Sequence, residues 1–164
     1  MDDGFAEYVA HRRLRLCRMA YLLTQDWGTA EDLVQTALSK AWLAWRRVEG
    51  NPDPYVYRII VNTHASWWRR RWRGEVPAAS VPETADPRDT AAEVDDRAVL
   101  WSAIGTLSPR QRAVIVLHYF EGRTLAQVAD IVGCSPGAVK RQLSRALTRL
   151  RVDPDMQTMK LERV

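Results

Sequence analysis

The sequence predicts an all-α protein of two small helical domains joined by a flexible acidic linker. Three observations predict this. Apolar residues recur at helical spacing through most of the chain, and no alternating strand pattern competes with them. That period fails between Gly74 and about Glu93, where Pro77, Pro82 and Pro87 recur among alanines, serine, threonines and acids. Charge divides the chain at the same place. Basic clusters at Trp67–Arg73 and Lys140–Arg151 flank a stretch in which Glu75, Glu83, Asp86, Asp89, Glu93, Asp95 and Asp96 face a single Arg88. The predicted boundaries are 1–73 for the first domain, 74–94 for the linker, 95–152 for the second domain and 153–164 for a tail without clear pattern. Each domain is near the lower size limit for folding alone.

Taken in order, Phe5–Leu23 suits one long helix, with Phe5, Tyr8, Val9, Leu16, Met19, Ala20 and Leu23 on its apolar side. Thr29 is placed to cap a second helix, whose expected buried stripe is Leu33, Val34, Ala37, Leu38, Ala41, Trp42 and Trp45. The loop Val48–Asp53 follows, and Pro54 opens a third helix that runs to about Arg73. Beyond the linker, helices are expected at Asp95–Thr106, Pro109–Phe120, Thr124–Val132 and Pro136–Leu150.

The last two helices carry the clearest chemistry. Thr124 with Gln127 forms a capping box. Gly133 supplies a residue that can leave a helix at positive φ. Ser135 caps the next helix, and Pro136 sits where a missing N–H is harmless. This is the grammar of a helix-turn-helix, whose second helix enters the DNA major groove by its N-terminal end. On that helix Val139, Leu143, Ala146, Leu147 and Leu150 project to one side. Gly137, Arg141, Ser144, Arg145 and Thr148 project to the other, with Lys140 at the edge. No acid occurs between Pro136 and Arg151, and a one-signed face calls for a polyanion.

The third helix presents a second polar face. Tyr55, Arg58, Asn62, Ser66, Arg69 and Arg73 share one side, while Val56, Ile60, Thr63 and Trp67 should pack on the second helix. Asn can pair with adenine, Arg can hold phosphate or guanine, and Tyr55 with the preceding loop can stack an unpaired base. Structural roles stand beside these: Asn62 as a bridge between helices, Tyr55 as a core aromatic, and Trp67, Trp68 and Trp72 as buried area.

Composition bounds the alternatives. A 46% hydrophobic and 27% charged content excludes a disordered chain. The two cysteines, Cys17 and Cys134, are too few and too isolated for a disulfide framework or a zinc site, and read as reduced thiols. No leader pattern opens the chain and no run approaches a membrane span, so a reducing cytoplasm is expected. No phosphate loop, nucleophile with a base, or metal spacing appears, and His11, His64 and His118 are scattered. Neither an enzyme nor a cofactor is expected.

The tracts AEDLVQTALSKAW, DPYVYRIIVNTHASWWRRRW and LSPRQRAVIVLHYFEGRTLAQVADIVGCSPGAVKRQLSRAL resemble regions 2.2, 2.4 and 4 of sigma factors of the sigma-70 superfamily, in the minimal extracytoplasmic-function group. NTHASWWRRRWRGEVP is similar to the actinobacterial SigE-type branch. The resemblance spans about Phe5 to Arg151. It implies a protein that binds core RNA polymerase through the β′ clamp and β subunits, directs it to promoters, reads the −10 element while melting it, and reads the −35 element as duplex. Glu31, Asp32 and Gln35 would contact the clamp. Asn51, Tyr55, Arg58, Asn62, Ser66, Arg69 and Arg73 would serve the −10 element, with the loop Val48–Asp53 receiving a flipped base. Ser135, Gly137, Lys140, Arg141, Ser144 and Arg145 would serve the −35 element. The acidic linker would pass near the polymerase active-site cleft as a mimic of nucleic-acid charge. The resemblance further implies a cytoplasmic, nucleoid-associated protein, monomeric when free and without a membrane partner. An anti-sigma protein is common in the group, and the sequence identifies none.

Two departures stand out. Ser66 occupies a position where many relatives carry Asp, and Gln127 one where many carry Glu. The principal rival function is a stand-alone helix-turn-helix regulator on duplex operators. It leaves the clamp-like face, the Trp- and Arg-rich helix and the acidic linker without a purpose.

Overall fold

The computed structural model describes residues 4–73 and 91–151, with side chains over 4–73 and 98–151. Most of the predicted linker and the predicted tail lie outside the described residues. Within them every regular element is helical.

Helix α1 (Phe5–Thr24) ends where Gln25 turns to φ 64° and its N–H bonds the Tyr21 carbonyl. Helix α2 (Trp27–Leu43) starts earlier than predicted, because Asp26 rather than Thr29 is its cap. The extended backbone of Asp26 lets its carboxylate accept the Thr29 N–H at 2.9 Å, leaving Thr29 inside the first turn with its hydroxyl on the same carboxylate. A short 3-10 turn (Trp45–Arg47) leads to the loop, in which the Asn51 side-chain oxygen accepts the Asp53 N–H at 3.0 Å and starts helix α3 (Asp53–Trp72).

These three helices close on Leu16, Met19, Leu23, Leu33, Val34, Val56 and Ile60, all at most 2% exposed. Burying each such side chain contributes roughly 1.5–3 kcal/mol. The predicted stripe of α2 needs one correction. Trp42 is 42% exposed and Trp45 half-buried, both edge-on to Phe5 at about 5 Å. The buried stripe ends at Ala41, and beyond it the α1 rings Phe5 and Tyr8 cover the two tryptophans only in part.

Helix α4 (Ala91–Gly105) begins four residues before the predicted Asp95. Helix α5 (Pro109–Ile115) opens on a full capping box between Ser108 and Gln111. The predicted continuation to Phe120 holds as helix but changes pitch. Val116–Phe120 forms a π turn, in which the Glu121 N–H reaches the Val116 carbonyl at 3.0 Å. Helix α6 (Leu125–Val132) and helix α7 (Pro136–Arg151) complete the described residues.

The two halves pack on each other. Helix α3 lies against α2 on one side and against α5 and α6 on the other, while α1 reaches α5. One apolar cluster therefore runs from Leu16 and Leu33 through Tyr57 to Val114, Val128 and Val139. A smaller one, Ala103, Leu107, Ile115, Ala146 and Leu150, joins α4, α5 and α7.

Candidate nucleic-acid interface

The helix-turn-helix forms as its caps predict. The Thr124 hydroxyl accepts the Gln127 N–H at 3.1 Å and the Gln127 side chain accepts the Thr124 N–H at 2.9 Å. Gly133 turns at φ 74°, with its N–H and that of Cys134 both on the Ala129 carbonyl. The Ser135 hydroxyl then accepts the Ala138 N–H at 3.2 Å, so α7 begins with its remaining N–H groups aimed outward. Val139, Ala146 and Leu150 are buried, and Leu143 and Leu147 half-buried. Ser135, Gly137, Lys140, Arg141, Ser144 and Arg145 are all exposed. A positive helix N-terminus followed by three cations on one open face is a seat for a phosphate backbone, with side chains free to reach base edges.

On α3 the predicted set divides. Arg58, Asn62, Arg69 and Arg73 are exposed, whereas Ser66 and Tyr55 are half-buried and Tyr55 packs against the core. Trp67 also packs against the core, and Trp68 lies near His64 and under the Arg112 guanidinium at 5.6 Å. Trp72, expected as buried area, is 76% exposed. Among the described residues its ring neighbour is Trp68, one turn back, with centroids 6.3 Å apart.

The loop before α3 borders a cleft of about 520 Å³, lined among others by Tyr8, Trp45, Val48, Gly50 and Asn51. Aromatic walls beside exposed backbone suit a flat base, although the Asn51 side-chain oxygen is already engaged in starting α3. On α2, Glu31, Asp32 and Gln35 are exposed together. Gln35 also lines a groove of about 730 Å³ between α1 and α2, with Val9, Leu38, Trp42 and Leu43. An exposed tryptophan and leucine beside paired acids make an apolar seat with a charged rim.

One cluster has no precursor in the sequence reading. Asp53 accepts from the Arg12 Nε at 3.1 Å and from the Tyr8 hydroxyl at 2.7 Å, and lies 3.6 Å from the Arg123 guanidinium. Glu121 accepts from the Arg15 Nε at 3.0 Å and the Tyr57 hydroxyl at 2.8 Å. Arg123 stacks over the Tyr57 ring at 5.2 Å. Burial and the bond to Glu121 raise the Tyr57 pKa, so its hydroxyl stays a donor. These partners lie up to 106 positions apart, beyond the reach of any spacing argument. The near-absence of other acids in residues 105–151, apart from Asp130, was the available signal that Glu121 has a task.

A buried arginine marks the same boundary. Arg112 donates to the Leu23 carbonyl in the first half and to the Gly105 and Leu107 carbonyls in the second, at the C-terminal ends of α1 and α4. Burial lowers its pKa to about 10, which leaves it charged at neutral pH. His64, facing it, is pushed down to about 4, first by burial and then by the Arg112 charge. Among the described residues no His, Cys, Asp and Glu cluster has a metal-ligand arrangement, and no helix is long and apolar enough to cross a membrane.

Comparison with known proteins gives the same two halves. Residues 8–74 match the family Sigma-70 region 2, and residues 97–150 match Sigma-70, region 4. The RNA polymerase sigma-E factor of Streptomyces coelicolor is 41% identical over 97% of this chain and 92% of its own length. The ECF RNA polymerase sigma factor SigL of Mycobacterium tuberculosis is 31% identical over 84% of this chain and 81% of its own. Among solved structures, the sigma factor RpoE in complex with the anti-sigma factor NepR from Bartonella quintana is similar with a TM-score of 0.74 and 29% identity. That similarity covers 90% of this chain and 94% of the other, so it includes both halves.

Proposed function

The chain belongs to the sigma-70 superfamily, as an extracytoplasmic-function sigma factor of the actinobacterial SigE type, and from that premise we propose how its parts divide the work. As a sigma factor it directs RNA polymerase to promoters, and the family acts as non-catalytic DNA-binding regulators.

In our reading, residues 1–73 hold core polymerase and read the −10 element, and residues 95–152 read the −35 element. Residues 74–94 bridge them through the enzyme. Ser135, Gly137, Lys140, Arg141, Ser144 and Arg145 meet the −35 duplex. The observation that carries this is the exposed, acid-free face of α7 behind a fully capped turn. Asn51, Tyr55, Arg58, Asn62, Ser66, Arg69 and Arg73 meet the −10 element. The cleft beside the Val48–Asp53 loop takes a base extruded from the stack, offsetting a few kcal/mol of the cost of strand opening. Glu31, Asp32 and Gln35, with the apolar groove beside them, dock on the β′ clamp, and the second half reaches the β subunit. The protein acts as a monomer at the cytoplasmic nucleoid. An anti-sigma partner fits the same picture, since the neighbour RpoE is known in complex with one.

The clamp assignment is tested by Asp32→Arg. Reversing this exposed charge should weaken association with purified core polymerase by about tenfold, on the order of 1.4 kcal/mol, while circular dichroism stays unchanged. Normal association by a folded variant would remove Asp32 from the interface.

A further inference from the structure

Between Pro54 and Gly74 the chain carries no acid, and α3 runs out through Arg69-Arg70-Arg71-Trp72-Arg73. All five of these side chains are exposed. Arginines in a last turn offset the carbonyl end of the helix dipole. That effect gives no reason for the tryptophan among them. Trp72 is 76% exposed, although tryptophan has more apolar area to bury than any other residue. Its ring is also braced. The Trp68 centroid lies 6.3 Å from it, and the His64 centroid lies 6.4 Å from Trp68, so three rings line one flank of α3 at four-residue spacing. A braced indole inside a collar of cations suits a partner that is both negatively charged and partly apolar.

Helical geometry says which part of the DNA this is. Trp72 lies about 40° around the axis from Arg58 and about 60° from Arg69, on the flank of the face that bears Asn62. Ten residues at about 1.5 Å each put it roughly 15 Å from Asn62 along the axis. The major groove is about 12 Å wide. With Asn62 at the base edges, the end of α3 therefore stands beyond the groove, over deoxyribose and phosphate. The opposite end of α3 borders the cleft beside the Val48–Asp53 loop, where the strands open. The Trp72 end faces the duplex that stays closed.

We propose that Trp72, flanked by Arg69 and Arg73, anchors α3 on the sugar–phosphate backbone of the closed duplex just upstream of the −10 element. The proposal rests on the assignment of α3 as the −10 reader. The indole packs on deoxyribose and its Nε1–H donates to a phosphate oxygen, while the guanidiniums neutralise neighbouring phosphates. Charge selects this partner. Arg58, Arg69, Arg70 and Arg73 all meet a polyanion at once, and counterions are released from it. The ring adds what arginine lacks, an apolar contact that depends on neither salt nor base sequence. Such a contact fixes the register of α3, so that Asn62 meets its base, and itself reads no sequence.

Hydroxyl-radical footprinting of promoter DNA tests this, because the radical attacks exposed deoxyribose. The complex is the holoenzyme reconstituted from purified core polymerase and this chain. The wild-type protein should protect a short run of sugars immediately upstream of the −10 element. Trp72→Ala should reopen the sugars under the ring and weaken promoter binding by about tenfold. Trp72→Phe should restore most of the protection. The loss should be the same when the base sequence beneath that run is changed. Trp72→Ala should also keep the wild-type dependence of affinity on salt, whereas Arg73→Ala should lower the logarithmic slope by about one. Helix content and association with core polymerase should be those of the wild type. A folded Trp72→Ala variant with unchanged footprint and promoter affinity overturns the proposal. So does weakened association with core polymerase, which would make the ring a protein contact. Dimers of the free wild-type chain that Trp72→Ala abolishes would overturn it too. Asn62→Ala on the same templates keeps the two readings apart. Retained −10 preference in that variant would refute the assignment of α3 as reader, and Trp72 would still be judged by its own footprint.

Discussion

Arg145 stands on the exposed side of α7, one turn beyond Arg141 and next to the exposed Ser144, on the face proposed to meet the −35 element. A guanidinium there can make paired bonds to guanine, and such a pair discriminates by roughly 1–3 kcal/mol. Arg145→Ala should therefore reduce use of the cognate −35 sequence by about 5- to 150-fold and relax preference at one or two adjacent base pairs. Selection of promoters from a randomised library by the reconstituted holoenzyme reads this directly. An unchanged −35 logo would remove Arg145 from base reading. The exposure of Lys140, Arg141, Ser144 and Arg145 on one face, and of Arg58, Asn62, Arg69 and Arg73 on another, is legible in the sequence, because helical projection fixes which side chains share a face. Glu121 and Asp53 were not, since their partners come from elements far along the chain. The exposure of Trp72 was also missed, because a tryptophan pattern does not say where its neighbours stop.

Caps decide where these elements begin. Thr124 and Gln127 were readable as a box because the pattern is local, and both of its bonds form. Asp26 was overlooked because Thr29 also fits the start of an apolar run. The physical choice is made by the extended backbone at Asp26 and its stronger carboxylate acceptor. Asp26→Ala should accordingly destabilise the chain by about 1 kcal/mol. Thr29→Ala should cost less, since its hydroxyl only supplements the cap. Thermal denaturation of the two variants orders them, and a larger loss for Thr29→Ala would return the cap to that residue. The π turn is an element the sequence does not announce. Val116–Phe120 carries the periodicity of an ordinary helix, and the wider turn is seen only in the bond from the Glu121 N–H to the Val116 carbonyl.

At the scale of the molecule, the sequence indicates two helical units, and the structure adds that they share a core. The boundary contains a titratable group. His64 is 6% exposed and faces Arg112, the charged group that acts on it. Its pKa of about 4 when buried is below the ordinary 6.5. Above pH 6.5 it is neutral in either state and the packed arrangement keeps its full stability. As pH falls from 6.5 toward 4, the separated or unfolded form takes up a proton that the packed form refuses. At pH 5 the packed arrangement loses on the order of 2 kcal/mol. The radius of gyration should therefore grow, or the melting temperature fall, between pH 7 and pH 5. His64→Phe should flatten that dependence, and an unchanged dependence would assign it to other groups.

The most direct measurement of the central claim is run-off transcription with purified bacterial core polymerase, with and without this protein, on templates carrying candidate extracytoplasmic-function promoters. The account predicts transcripts that start at a defined position only when the protein is present, and that fall when the −10 or the −35 element is altered. Silence with the protein added, together with tight sequence-specific binding of the protein alone to duplex DNA, would contradict it and favour a stand-alone regulator.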